Sequence, residues 1–211
     1  MARRTPGKFS PHGDVERDAP GDHWVTIDGT HVLIHEAQGT QPAQTQPVTS
    51  INVLGKKAVI TYDARLSADD KLSASNAIAA AADLLNKNAD KLTNDEKKAV
   101  GEISSIFETA SAKDYLGATG KGSITLSIDY INKVSSAWIA SLFGHEGQHY
   151  LNSGQYSGDK RWKDEQSASR TQLSIGNKIG FTGYERDSLQ NWMDDKNRAE
   201  MQKHMERGYS Y

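Results

Sequence analysis

The sequence predicts an α+β fold, a small sheet with an edge strand and several helices, preceded by an N-terminal β-hairpin. Three observations carry this reading. Two β-rich runs flank Asp28-Gly29, and two Ser/Thr-x-x-acid capping signals each open a helical stretch. An alternating strand near Ile124 then leads into a helix-forming segment that holds two histidines. The chain has 211 residues, enough for one ordinary core with a small appendage.

Residues 1–22 mix Arg, Pro, Gly and Asp without apolar periodicity and read as a flexible leader. Residues 23–36 follow as a hairpin. His23 to Ile27 and Thr30 to Ile34 pair about the Asp-Gly turn and place Val25, Ile27 and Val32 on one face. Residues 37–50 are rich in Gln, Thr and Pro and are expected to form an extended linker. The main domain is then 51–211. Ile51 to Leu54 and Ala58 to Tyr62 surround Gly55-Lys56-Lys57 as a second hairpin, or as a strand entering the domain.

Ser67 with Asp70 opens a helix that runs through Leu85. Thr93 with Glu96 opens another that continues through Val100, Ile103 and Phe107. Gly117 to Gly122 is a breaker-rich loop. Ile124, Leu126, Ile128 and Tyr130 then alternate with Thr125, Ser127 and Asp129, the pattern of a half-exposed strand. A helix starts near Ser135 and carries Trp138, Ile139, Leu142 and Phe143. Another spans Trp162 to Ile179, and Asp187 to Tyr211 is a polar helix or tail anchored by Trp192 and Met201.

Composition removes several classes of function. A net charge of −2 gives no basic field for nucleic acid. No apolar run reaches membrane-spanning length and no apolar stretch follows Arg3-Arg4, so neither a span nor a secretory signal is expected, and the chain reads as soluble and cytoplasmic as synthesised. With no cysteine, thiolate metal sites and a cysteine nucleophile are excluded together. A bound metal must therefore be held by His and carboxylate.

The segment His145-Glu146-Gly147-Gln148-His149 meets that requirement. Residues four apart share a helix face, so His145 and His149 can each turn an imidazole nitrogen to one ion. Glu146 lies about 100° round the helix, near the ion without ligating it, a position that suits a base for metal-activated water. Gly144 and Gly147 each weaken a helix by about 1 kcal/mol relative to Ala, which implies a neighbouring strand or a ligand close against the backbone there.

His-Glu-x-x-His on a helix resembles the signature of the zincin metallopeptidases. The resemblance implies Zn2+ as cofactor, a peptide or protein substrate, a zincin-like domain around the active-site helix, and Glu146 as general base. Asn152 and Gln155 stand where the metzincin branch has Gly and a third His, which excludes that branch. The gluzincin branch takes its third ligand from a Glu on a following helix, in a Glu-x-x-Ala-like setting. Glu165-Gln166-Ser167-Ala168 fits it, with Gly154 and Gly158 in a loop long enough to reverse the chain. Asp159 is the second choice for that ligand, as in aspzincins, followed by Asp164 and Glu185. Zincins also carry an edge strand upstream that pairs with substrate, and Ser123 to Tyr130 stands in its place. Tyr156, Tyr184, Arg170 and His204 are each chemically able to stabilise an oxyanion, and the sequence does not choose among them.

The N-terminal Trp-Val-Thr-Ile-Asp-Gly run resembles segments of bacterial phage-related and secreted toxin-like proteins. It implies an effector whose hairpin engages a delivery or docking partner, with export that needs no cleaved signal. The competing expectation is a catalytically inactive zincin-like protein, metal-binding or structural.

Overall fold

The computed structural model describes residues 23–27, 30–34, 46–110, 116–117 and 122–208. The leader, the Asp28-Gly29 turn and most of the linker lie outside them. Strands β1 (His23–Ile27) and β2 (Thr30–Ile34) pair antiparallel with Val25 opposite Val32, the register that the alternation predicts.

The second hairpin is built from β3 (Ser50–Val53) and β4 (Lys56–Tyr62), with Val53 opposite Lys56. Its turn is Leu54-Gly55, not Gly55 to Lys57. Both turn residues have positive φ, 49° and 80°, as a two-residue turn matched to the strand twist requires. Asn86 holds this turn from outside, accepting from the Leu54 N–H at 2.8 Å and donating to the Asn52 carbonyl at 2.9 Å. The end of the expected linker is also tied down. Val48 N–H donates to Ser75 Oγ and the Tyr62 hydroxyl donates to the Val48 carbonyl, each at 2.8 Å.

Helix α1 (Ala68–Lys87) and helix α2 (Asn94–Val100) begin at the two capping boxes read from the sequence, Ser67 with Asp70 and Thr93 with Glu96. Helix α2 is shorter than expected. It stops at Gly101, and Ile103 and Phe107 belong to the connection and to β5 (Ser105–Thr109). The β-branched and aromatic run Ser-Ile-Phe-Glu-Thr is taken by the sheet, where β5 lies parallel between two neighbours.

Those neighbours complete a five-stranded mixed sheet with β6 (Leu116–Gly117) and β7 (Ser123–Ser127), in the order β3-β4-β5-β7-β6. The β4–β5 and β5–β7 pairs are parallel; the two outer pairs are antiparallel. The expected half-exposed edge strand from Ser123 to Tyr130 needs two corrections. It ends at Ser127, whose side chain caps α3 (Ile128–Ile131), so Ile128 and Tyr130 are helical. It is also not an edge, because β6 pairs with Leu126 and Thr125, and Ile124 to Ser127 are all buried. Burial on both faces is the normal state of an interior strand with parallel pairing.

Helix α4 (Ser136–Leu151) starts at the Ser135 N-cap and packs against α1, α2 and α5 (Arg161–Ile179), which makes it the central rod of the helical layer. The expected polar C-terminal helix is two helices, α6 (Gly183–Trp192) and α7 (Arg198–Gly208), with α7 packed on α5 and Met201 fully buried. Ile78, Leu85, Ile106, Ile124, Leu126, Ile139 and Phe143 form the centre of the core between sheet and helices. No described helix is long and apolar enough to cross a membrane.

Candidate metal centre

Helices α4 and α5 form an antiparallel hairpin, and its turn decides what meets. The chain leaves α4 through Asn152 and passes Gly154 and Gly158, whose φ values of 78° and 57° are left-handed. It re-enters as α5 within a few residues. His149, near the end of α4, is thereby set beside Asp164 and Glu165, near the start of α5. Both acids also lie at the helix end where negative charge is favoured.

The two glycines of α4 set how closely its neighbours approach. A Cβ on Gly147 would sit 1.8 Å from the Ala99 carbonyl oxygen of α2, and one on Gly144 would sit 2.1 Å from Ile175 Cδ1 of α5. The close approach expected from the sequence is made by two helices, not by the strand or ligand anticipated there. Ala168 is fully buried, so a small residue also lies where α5 packs inward.

His145 Nε2 and His149 Nε2 are 3.1 Å apart. Glu165 Oε2 lies 3.6 Å from the first and 3.5 Å from the second. Three ligands at 2.0–2.1 Å from a tetrahedral ion are separated by about 3.3 Å, so the triangle has the size that such an ion sets. The polar atoms point the same way. Glu165 Oε2 is buried with no hydrogen-bond partner, while Oε1 accepts from Trp192 Nε1 at 3.0 Å and from Ser169 Oγ at 3.4 Å. One carboxylate oxygen is held by protein and the other faces the imidazoles. Among the described residues this is the group of His and carboxylates able to hold a cation.

His149 is oriented from behind. Its Nδ1 faces Asp164 Oδ2 at 3.1 Å, and Asn152 Nδ2 donates to Asp164 Oδ1 at 2.7 Å. Gln148 continues the chain, donating to Asn152 at 2.8 Å and accepting from Thr171 Oγ1 at 3.1 Å. A carboxylate on the far nitrogen of an imidazole fixes the tautomer that turns Nε2 to a metal. Asp164 thus serves the His149 ring and does not join the triangle.

The electrostatics agree with a site built for positive charge. Burial opposes a charged His149, but the Asp164 and Glu165 carboxylates beside its two ring nitrogens and the field of Glu146 outweigh it and lift the imidazole to about 10. Burial likewise works against an ionised Glu165, and the two imidazoles overcome it, holding the carboxyl well below its ordinary value. Three acidic side chains around two histidines are balanced by a proton or by a cation.

Glu146 is 3% exposed and lies one turn before Tyr150, whose hydroxyl donates to the Ser123 carbonyl at 2.9 Å. The field of its carboxylate raises both His149 and Tyr150. Exposure of the site is low. The side chains of His145, His149 and Glu165 are 10%, 0% and 4% exposed, so His145 marks the side nearest solvent.

The other candidates go elsewhere. Asp159 is exposed in a short turn, Gly158–Lys160. Glu185 is fully buried as the capping partner of Thr182 and accepts from Ser135 Oγ. Arg170 is exposed and donates to Gln166, while Tyr156 and Tyr184 are half-buried. The His204 side chain lies outside the described residues. Trp192 and Asn152 were not singled out for this site by the sequence, since neither belongs to a spaced pattern with the histidines. No protein-family model, curated protein or solved structure matches the chain.

Proposed function

We propose that the chain is a zinc-dependent, zincin-like peptide hydrolase in which His145, His149 and Glu165 hold the cation and Glu146 is the general base. The observation that carries this reading is the triangle of 3.1, 3.5 and 3.6 Å between the three ligand atoms, with Glu146 beside it on the same helix. Two neutral imidazoles and one carboxylate are a donor set of zinc hydrolases, which keep a fourth position for water. When bound, the cation supplies Lewis acidity to that water and to a scissile carbonyl.

The chain's own residues do the rest. Glu146 takes the proton of the attacking water and passes it to the leaving amine. Asp164 keeps His149 in one tautomer, and the buried walls of α2 and α5 limit competing water. The partner implied is a peptide or protein substrate. A role as a phage-related or secreted effector, with the β1–β2 hairpin docking a delivery partner, is the accompanying proposal for its biology.

The near-complete burial of the three side chains favours a second reading, a zincin-like protein whose cation is structural. Hydrolysis of a broad peptide library separates the two. The enzyme loses hydrolysis on chelation and regains it with added Zn2+, whereas the structural protein takes up the ion and cleaves nothing. Cleavage that survives complete removal of metal would contradict both.

A further inference from the structure

We propose that α6 braces the cation site, with Trp192 positioning Glu165 so that a single carboxylate oxygen is presented to the ion; this rests on the reading that His145, His149 and Glu165 bind a divalent cation.

Glu165 sits on a flexible two-carbon stem, and its own helix offers only the long 3.4 Å contact from Ser169 Oγ to decide whether it presents one oxygen or two. The choice is made from α6. The Trp192 indole N–H donates to Oε1 at 3.0 Å and leaves Oε2 facing both imidazoles. Ser169 adds a longer contact of 3.4 Å to the same Oε1. The indole can act this way because its ring is partly buried and packed against the core. Gln166 Nε2 also donates to the Met193 carbonyl at 3.0 Å, which fastens the end of α6 alongside Glu165.

The opposite end of α6 reaches the other ligand helix. Glu185, which caps α6 through Thr182, also accepts from Ser135, the N-cap of α4. One ten-residue helix therefore holds the start of the helix bearing the two histidines and the carboxylate that completes the site. Trp192 acts through Glu165, so it is a positioning residue, and its removal should change the ion's coordination as well as its affinity.

The test compares the full-length protein with Trp192→Phe, which keeps an aromatic ring and removes the donor. Zn2+ affinity is measured by competition with a chromophoric chelator, Co2+ coordination by visible absorption, and folding by thermal unfolding of the metal-free form. Loss of an outer hydrogen bond to a ligand lowers metal affinity by roughly 10- to 100-fold. We expect that loss, together with a weaker cobalt band as the freed carboxylate adds its second oxygen, at a temperature where both proteins are folded. Wild-type affinity and an unchanged cobalt spectrum in Trp192→Phe would overturn the brace alone. Failure of the unaltered protein to take up either metal would instead overturn the cation reading beneath it.

Discussion

Glu146→Gln is expected to lower peptide hydrolysis by about 10²- to 10⁴-fold while leaving the metal content unchanged. The amide has nearly the same shape and cannot accept the proton. The three atoms able to hold a cation lie on His145, His149 and Glu165, so the substitution leaves their triangle in place. Steady-state rates beside metal analysis on one preparation check this. Equal turnover in the variant would remove Glu146 as base, and loss of the metal with the rate would give it a structural part instead.

The second large effect concerns a residue far from any motif. Glu108 on β5 is 0% exposed and neither carboxylate oxygen has a hydrogen-bond partner. Its register partners are Tyr62 and Leu126. Burial pushes its carboxyl up from 4.5 to about 9, so it is neutral in the folded protein at pH 7. The unfolded chain ionises it from about pH 4.5 upward, and stability therefore falls as pH rises from there to about 9. Each unit is about 1.4 kcal/mol. Glu108→Gln should thus stabilise the fold by about 3 kcal/mol at pH 7 and about 5 kcal/mol at pH 8, and by almost nothing at pH 4. Denaturant unfolding of both proteins across that range is the check. A difference independent of pH would mean that Glu108 is ionised in the core.

What the sequence made legible follows from how local each signal is. Ser67 with Asp70 and Thr93 with Glu96 act within one turn, and both helices start where those residues say. His145 and His149 are one turn apart, so their shared face is a property of the helix. Phe107 and Ile128 were misassigned because their fate is decided by partners distant in the chain. Phe107 goes to a strand between β4 and β7, and Ile128 goes to a helix capped by Ser127.

The rest of the site follows the same rule. Glu165 was singled out through a family pattern, and its place in the triangle depends on the α4–α5 turn. Trp192 is 27 residues from Glu165, with no spacing to connect them before α6 is packed. Gly144 and Gly147 show the reverse case. Two unfavourable residues in one helix already implied a close neighbour, although only the packed structure identifies Ile175 and the Ala99 carbonyl.

The most direct test of the metal centre is the zinc content of purified, folded protein after dialysis against buffered Zn2+, measured beside His149→Ala. We expect one ion per chain in the unaltered protein and near-complete loss in the variant, with both still folded by circular dichroism. A folded wild-type chain without zinc, or a His149→Ala variant that keeps its full complement, would contradict the assignment of these three side chains to one cation.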